Sequence, residues 1–120
     1  MIEDYNFGSI VIDGETYNHD VQVFWTDQVF DWWRNDSHII DVEDVIDVVE
    51  QKPESIVIGT GESGMAKVTE AAQKFIEARG IKLFVDPTEQ AVKTFNIRKE
   101  ESMEEEGKPE KVIGLFHLTC

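Results

Sequence analysis

Lys111-Val112-Ile113-Gly114-Leu115-Phe116-His117-Leu118 is apolar at both odd and even positions. A strand covered on one face alternates apolar and polar residues, whereas a strand covered on both faces does not. This segment therefore belongs inside a sheet, although it lies at the end of the sequence. Ser55-Ile56-Val57-Ile58-Gly59 reads the same way over fewer residues, and Ile81-Lys82-Leu83-Phe84-Val85 supplies a third strand.

Between these strands the period changes. Asp41 can cap a helix whose Val42, Val45, Ile46 and Val49 follow the i, i+3, i+4, i+7 pattern, with Pro53 beyond its end. A second helix carries Val68, Ala71, Ala72, Phe75 and Ile76 on one stripe. It stops at Arg79-Gly80, where glycine suits the left-handed position. Asp86-Pro87-Thr88-Glu89 spells a third helix start, with Asp as N-cap, Pro at the first position and Glu three residues after the cap. Ala91, Val92 and Phe95 form its apolar side. Arg98 to Glu110 is rich in charge and contains Gly107 and Pro109, so it reads as a frayed helix end and an exposed loop.

The first third of the chain is written in short strands. Asp13-Gly14, a pair that takes positive φ cheaply, joins Phe7–Ile12 to Glu15–Tyr17. Thr26-Asp27-Gln28 joins Val21–Trp25 to Val29–Trp33. Two such hairpins make an antiparallel meander. The expected architecture is a three-layer α/β domain over residues 1–120 with this small N-terminal β meander attached.

Composition narrows the function. With 120 residues, 41% hydrophobic and 10% aromatic, the chain can bury a core and is not a disordered segment. No apolar run approaches the ~20 residues of a membrane span. Met1-Ile2-Glu3-Asp4 has neither the basic start nor the apolar stretch of a signal peptide. The single cysteine, Cys120, cannot form an internal disulfide, and a cytoplasmic location is expected. Lys+Arg 11 against Asp+Glu 25 gives a net charge of −14. Nucleic acids and anionic membranes are bound mainly through Lys and Arg, so neither is an expected partner.

Gly59-Thr60-Gly61-Glu62-Ser63-Gly64 matches the G-x-G-x-x-G spelling of a dinucleotide site. It follows a predicted strand, and Asp86 stands 22 residues after Gly64 to take a ribose hydroxyl. Three observations oppose that reading. Glu62 would set a negative charge against a pyrophosphate, Asp86 has a plainer role as a helix cap, and 34 residues are too few for a second nucleotide-binding half. The glycines are expected to form a tight turn from strand into helix. If the loop does border a ligand cleft, Gly59, Thr60, Gly61, Glu62 and Ser63 line it, with Arg34 and His38 as polar groups.

No metal or cofactor is expected. His117 and Cys120 form a single short pair that an extended strand would point to opposite faces, and no second pair accompanies them. No catalytic residue stands out; His38, near Arg34 in a sheet-to-helix loop, is the best isolated acid–base candidate, and closing the loop by hydrogen bonds is its plainer role. Phe24, Trp25, Phe30, Trp32 and Trp33 concentrate five rings in ten residues. Trp32 and Trp33 must face opposite ways, so at least one lies near solvent or a partner. With Arg34, the two indoles form the candidate interaction surface.

Four stretches occur in an ordered series. They are Asp31-Trp32-Trp33-Arg34 with His38, then Ile56–Gly61, then Thr88–Lys93 with Phe95-Asn96, then Gly114–Cys120. The series resembles the small-domain family of unknown function that includes the metazoan adipogenesis-associated protein, with a mitochondrial respiratory complex I assembly factor as a more distant relative. The resemblance implies three layers, a central mixed sheet of about five strands with one antiparallel to the rest, and a small β layer. It also implies no assigned activity, cofactor or catalytic residue. Relatives vary at the position of Gly64, and the acidic segment Glu100 to Glu106 is longer than usual. Together these features lead to a non-enzymatic domain acting through contacts with an unknown protein partner, in assembly or regulation, as a monomer or weak homodimer. The alternative is a small-molecule binder, of nucleotides among others, or an enzyme with its cleft at the glycine loop.

Overall fold

The computed structural model describes residues 1–120. Its central sheet has the order β5 (Val29–Asp31), β4 (Val21–Phe24), β10 (Val112–His117), β7 (Ser55–Thr60) and β9 (Lys82–Asp86). The final strand is the middle one, and it and β7 are buried at every position, as their unbroken apolar spelling requires. β10 runs parallel to β7 and β7 parallel to β9, while β4 is antiparallel to both β10 and β5. One strand of five is therefore reversed.

Alternation along these strands divides the core in two. Ile56, Ile58, Ile113 and Leu115 face a layer made by α1 (Val42–Glu50) and α2 (Glu70–Glu77), where Val45, Val48, Ala72 and Ile76 meet them. Val57, Val112 and Phe116 face the other way, onto Ala91, Val92 and Phe95 of α3 (Thr88–Glu106) and onto Ile2, Ile10 and Ile12. The last three belong to a separate antiparallel sheet of β1 (Ile2–Asn6), β2 (Ser9–Ile12) and β3 (Glu15–Tyr17). Asp13 and Gly14 both have positive φ in the turn between β2 and β3, the conformation that their sequence favours.

Five local expectations need correction. The meander does not form one unit, because its second hairpin, β4–β5, adds to the central sheet. β1 is absent from the sequence reading because of its five residues only Ile2 is buried. Val68 lies in a two-residue strand, β8 (Lys67–Val68), paired with β6 (Ile39–Ile40), and α2 is capped by the Thr69 hydroxyl instead. Asp86 ends β9 and caps nothing; Pro87 holds the cap position of α3 without a side-chain bond. Finally, the acidic stretch is helical through Glu106, and Gly107 closes it with φ 75°.

That last helix extension is held from outside. Arg98 donates two hydrogen bonds to Glu110, each 2.8 Å, and the Glu110 amide donates to the Ser102 hydroxyl. Local repulsion among glutamates would fray an isolated helix, but these ties bind its second half to the chain entering β10. The expected Asp41 cap is present: its carboxylate accepts from the Val42 amide and from the Thr69 hydroxyl, which joins the starts of α1 and α2.

Candidate functional site

β10, β7, β9 and β5 all end at one edge of the sheet, and β4 begins there. Open α/β sheets present their ligand sites along such a carboxyl edge. Here the edge holds Asp20, the Trp32–Arg34 segment, the glycine loop, the start of α3 and His117.

Asp20, Arg34 and His117 converge on one another. Arg34 Nη2 donates to Asp20 Oδ2 at 2.6 Å, while His117 Nδ1 lies 2.8 Å from that oxygen and 2.9 Å from Nη2. Asp20 Oδ1 accepts from the Leu118 amide at 2.9 Å. The Arg34 side chain is only 5% exposed, and its guanidinium stacks 4.7 Å above the Trp32 ring. Burial pushes the Asp20 carboxyl up. The hydrogen bonds from His117 and Leu118, with the positive fields of His117 and Arg34, outweigh that and hold it below the ordinary carboxylate value.

The cluster is short of acceptors. Arg34 Nε and Nη1 are buried without a hydrogen-bond partner, and so is His117 Nε2. Beside Arg34 lies a concavity of about 360 Å³, whose walls include Asp20, Asp31, Trp32, Trp33 and Ser37. Trp33 stands 83% exposed on it, whereas Trp32 is buried and its indole N–H donates to the Asp44 carbonyl. Of the expected surface trio, then, Trp33 alone is free, and Arg34 is part of the interior.

The glycine loop follows a different plan from a phosphate cradle. The Gly61 amide donates to the Thr88 hydroxyl, the Glu62 amide to the Thr119 carbonyl and the Gly64 amide to the Gly61 carbonyl. Thr88 in turn donates to the His117 carbonyl, fastening the start of α3 to the end of β10. The loop does not open a helix, because Met65–Thr69 with strand β8 precede α2. Its glycines admit close neighbours: a Cβ on Gly59 would lie 2.7 Å from the Thr88 hydroxyl. Thr60 is buried and donates to the Asp86 carbonyl, while Glu62 and Ser63 are exposed.

His38 does not join Arg34. It is exposed; its amide donates to Asp36 and its carbonyl accepts from Lys67, which closes the connection as its plainer role required. Neither Asp20 nor the place of His117 beside it is marked by any local sequence pattern. The one available signal was His117 itself, a polar residue inside a strand otherwise spelled for full burial. No group of three or more His, Cys, Asp or Glu side chains is arranged to hold a metal, and no helix is long and apolar enough to cross a membrane.

Residues 2–115 match the family described as protein of unknown function DUF498/DUF598. The chain belongs to that family. Solved structures with the same architecture include PH1505 from Pyrococcus horikoshii OT3, described as a conserved hypothetical protein. It has 23% identity and a TM-score of 0.80, with 100% of this chain and 99% of that one covered. A protein named MT938 has 26% identity and a TM-score of 0.80, covering 100% and 98%. A Bartonella henselae protein described as an outer membrane protein has 19% identity and a TM-score of 0.78, covering 99% and 94%. The likeness is one of fold, and none of the three descriptions names an activity.

Proposed function

We propose that residues 1–120 act as one non-enzymatic unit that works through protein contacts, in assembly or regulation, at the face bearing Trp33. The carrying observation is a large indole left 83% exposed beside a concavity with a buried arginine in its wall. Exposed aromatics next to a recess are the side chains that dominate binding energy at interfaces. The ordered residues from Asp31 to Cys120 further support a place in the branch of the family that includes the adipogenesis-associated protein, and a cytoplasmic location fits the single cysteine.

The alternative, a ligand seated on Gly59–Ser63 with Arg34 and His38, has less support. Two of the amides it would need, those of Gly61 and Glu62, already donate within the chain, and His38 lies apart from Arg34 in the hydrogen-bond pattern.

Trp33→Ala is the test, because its exposure lets the fold tolerate truncation. Its melting temperature is expected within about 2 °C of the parent, since surface changes stay near ±0.5 kcal/mol. Proteins that co-purify with the native chain are expected to bind at least about 30-fold more weakly, the effect of losing an interface anchor worth ~2 kcal/mol. The same proteins recovered at the same affinity would overturn the proposal. Arg34 is unsuitable for this test, because removing a buried cation disturbs the fold as well.

A further inference from the structure

We propose that β9 is a self-pairing edge, through which a second copy of this chain joins the central sheet in antiparallel register about Phe84. This goes beyond the protein-contact reading and stands apart from it. β9 closes the strand order at the end opposite β5, the strand that Trp33 follows.

Half of the β9 backbone has no partner strand. The Lys82 amide donates to the Glu54 carbonyl at 3.2 Å, so Lys82, and with it Phe84 and Asp86, turns its backbone groups toward β7. Backbone groups alternate along a strand, so Leu83 and Val85 turn theirs outward, where the sheet ends. Open edges are commonly blunted by a proline, a bulge or a central charge. β9 has none of these: its pairing with β7 runs unbroken from Lys82 to Asp86, and Leu83-Phe84-Val85 fills its centre. Val85 is 40% exposed. On one face α3 sits mainly over β7 and β10, which leaves the approach to β9 clear.

The spelling of this strand complements itself. In a two-fold pair centred on Phe84, Leu83 stands opposite the partner's Val85, and each both donates and accepts a backbone hydrogen bond. Lys82 then stands opposite the partner's Asp86. The other registers that match outward groups lose this. Pairing Leu83 with its own copy sets Lys82 against the partner's Phe84, and pairing Val85 with its own copy sets Asp86 there. Neither Lys82 nor Asp86 belongs to an ion pair within its own chain. The remaining edges are poorer seats. On β5 the Asp31 carbonyl already accepts from the Gln22 side chain, and a pair centred on β3 would set Glu15 against the partner's Tyr17.

The test is sedimentation equilibrium of the full chain, with melting temperatures to verify that each variant folds. At 0.15 M salt the Debye length of about 8 Å screens the repulsion between two copies of charge −14 more than it screens contacts across paired strands. The native chain is expected to pass from monomer to dimer as its concentration rises. Lys82→Asp sets like charges across both ends of the pair and should weaken dimerisation at least about tenfold. Lys93→Glu makes the same change in net charge beside β1 and should stay within about threefold of the native chain. Exchanging the two residues, Lys82→Asp with Asp86→Lys, restores unlike charges and should recover native association to within about threefold. Val85→Pro deletes an outward N–H that β7 does not use, and should weaken the dimer by about tenfold or more. A chain that stays monomeric at every concentration would overturn the pairing. So would equal weakening by Lys82→Asp and Lys93→Glu, or a folded exchange variant that fails to recover. A dimer lost in Trp33→Ala and kept in Lys82→Asp would place the contact on the other face and overturn it as well.

Discussion

Asp20→Asn is expected to destabilise the fold by about 3–5 kcal/mol, the cost of leaving a buried charge without its partner. Asparagine preserves the shape and its single oxygen can still accept from the Leu118 amide, but its amide nitrogen then faces Arg34 Nη2, so the change removes both the counter-charge and the acceptor of that donor. That guanidinium is 5% exposed and already carries two unmatched nitrogens, and solvent cannot compensate it. Chemical denaturation should show the loss directly, with a fall in melting temperature of roughly 10–20 °C. Asp20→Asn with Arg34→Met removes both charges and is expected to recover part of the stability, since replacing a buried pair by apolar groups costs less than breaking it. A single variant within about 1 kcal/mol of the parent would contradict the clamp.

The same carboxylate predicts an acid limb. Its folded-state value lies below the ordinary one, so its stabilisation is complete above the unfolded pKa of about 3.9 and is lost as pH falls through the folded value. Glu110, held down by Arg98 and Ser55 against its burial, and Asp27, held down by Lys99 and the N-terminus against its own, act with the same sign. Stability is therefore expected to fall below about pH 4 and to fall less steeply in Asp20→Asn. An unchanged acid slope in that variant would remove Asp20 from the account.

Gly61→Ala is expected to cost about 2–4 kcal/mol from two sources, backbone strain and overpacking. Its φ of 100° lies in the region that side chains rarely enter, and the new Cβ would sit 2.6 Å from the Thr119 carbonyl oxygen, 2.8 Å from that of Cys120 and 2.9 Å from His117 Cδ2. Two of those neighbours are backbone, so the tail must move, and the Glu62 amide then loses its acceptor. Removing Thr119 and Cys120 isolates the tail's share. In the shortened chain Gly61→Ala should cost less by the share due to the two tail carbonyls, while the backbone strain and the His117 contact remain. An equal penalty in both backgrounds would show that the tail does not press on Gly61. Gly80 and Gly107 also have positive φ, but no atom lies within 4 Å of where a Cβ would stand, so crowding adds nothing there.

Much of the fold follows from short-range spelling. Ile56–Ile58 and Val112–Phe116 lack the alternation of a half-covered strand, which placed both inside a sheet. Asp41 with its i, i+3, i+4 valines marked α1, and Asp13-Gly14 marked its hairpin turn. The failures are equally local. Ile2-Glu3-Asp4-Tyr5-Asn6 offers one buried residue and pairs through a bulge, so no pattern announces a strand. The glutamates after Arg98 spell solvent, and only Glu110 and Ser102 show why they continue a helix.

The candidate site was less legible. Trp32, Trp33 and Arg34 are neighbours in the sequence, yet their sharply different burial depends on what lies across the fold. Asp20 meets Leu118 over a separation of 98 residues, and Arg34 meets His117 over 83. By itself the sequence determined the period of each element, the turns, the acidity and the doubly buried strands, because these depend on residues within a few positions of one another. Tertiary structure alone decided that the last strand would be the middle one and that its final histidine would meet Asp20 and Arg34. Those choices minimise exposed apolar faces and unpaired buried charge across the whole chain, and no local window contains both sides of that balance.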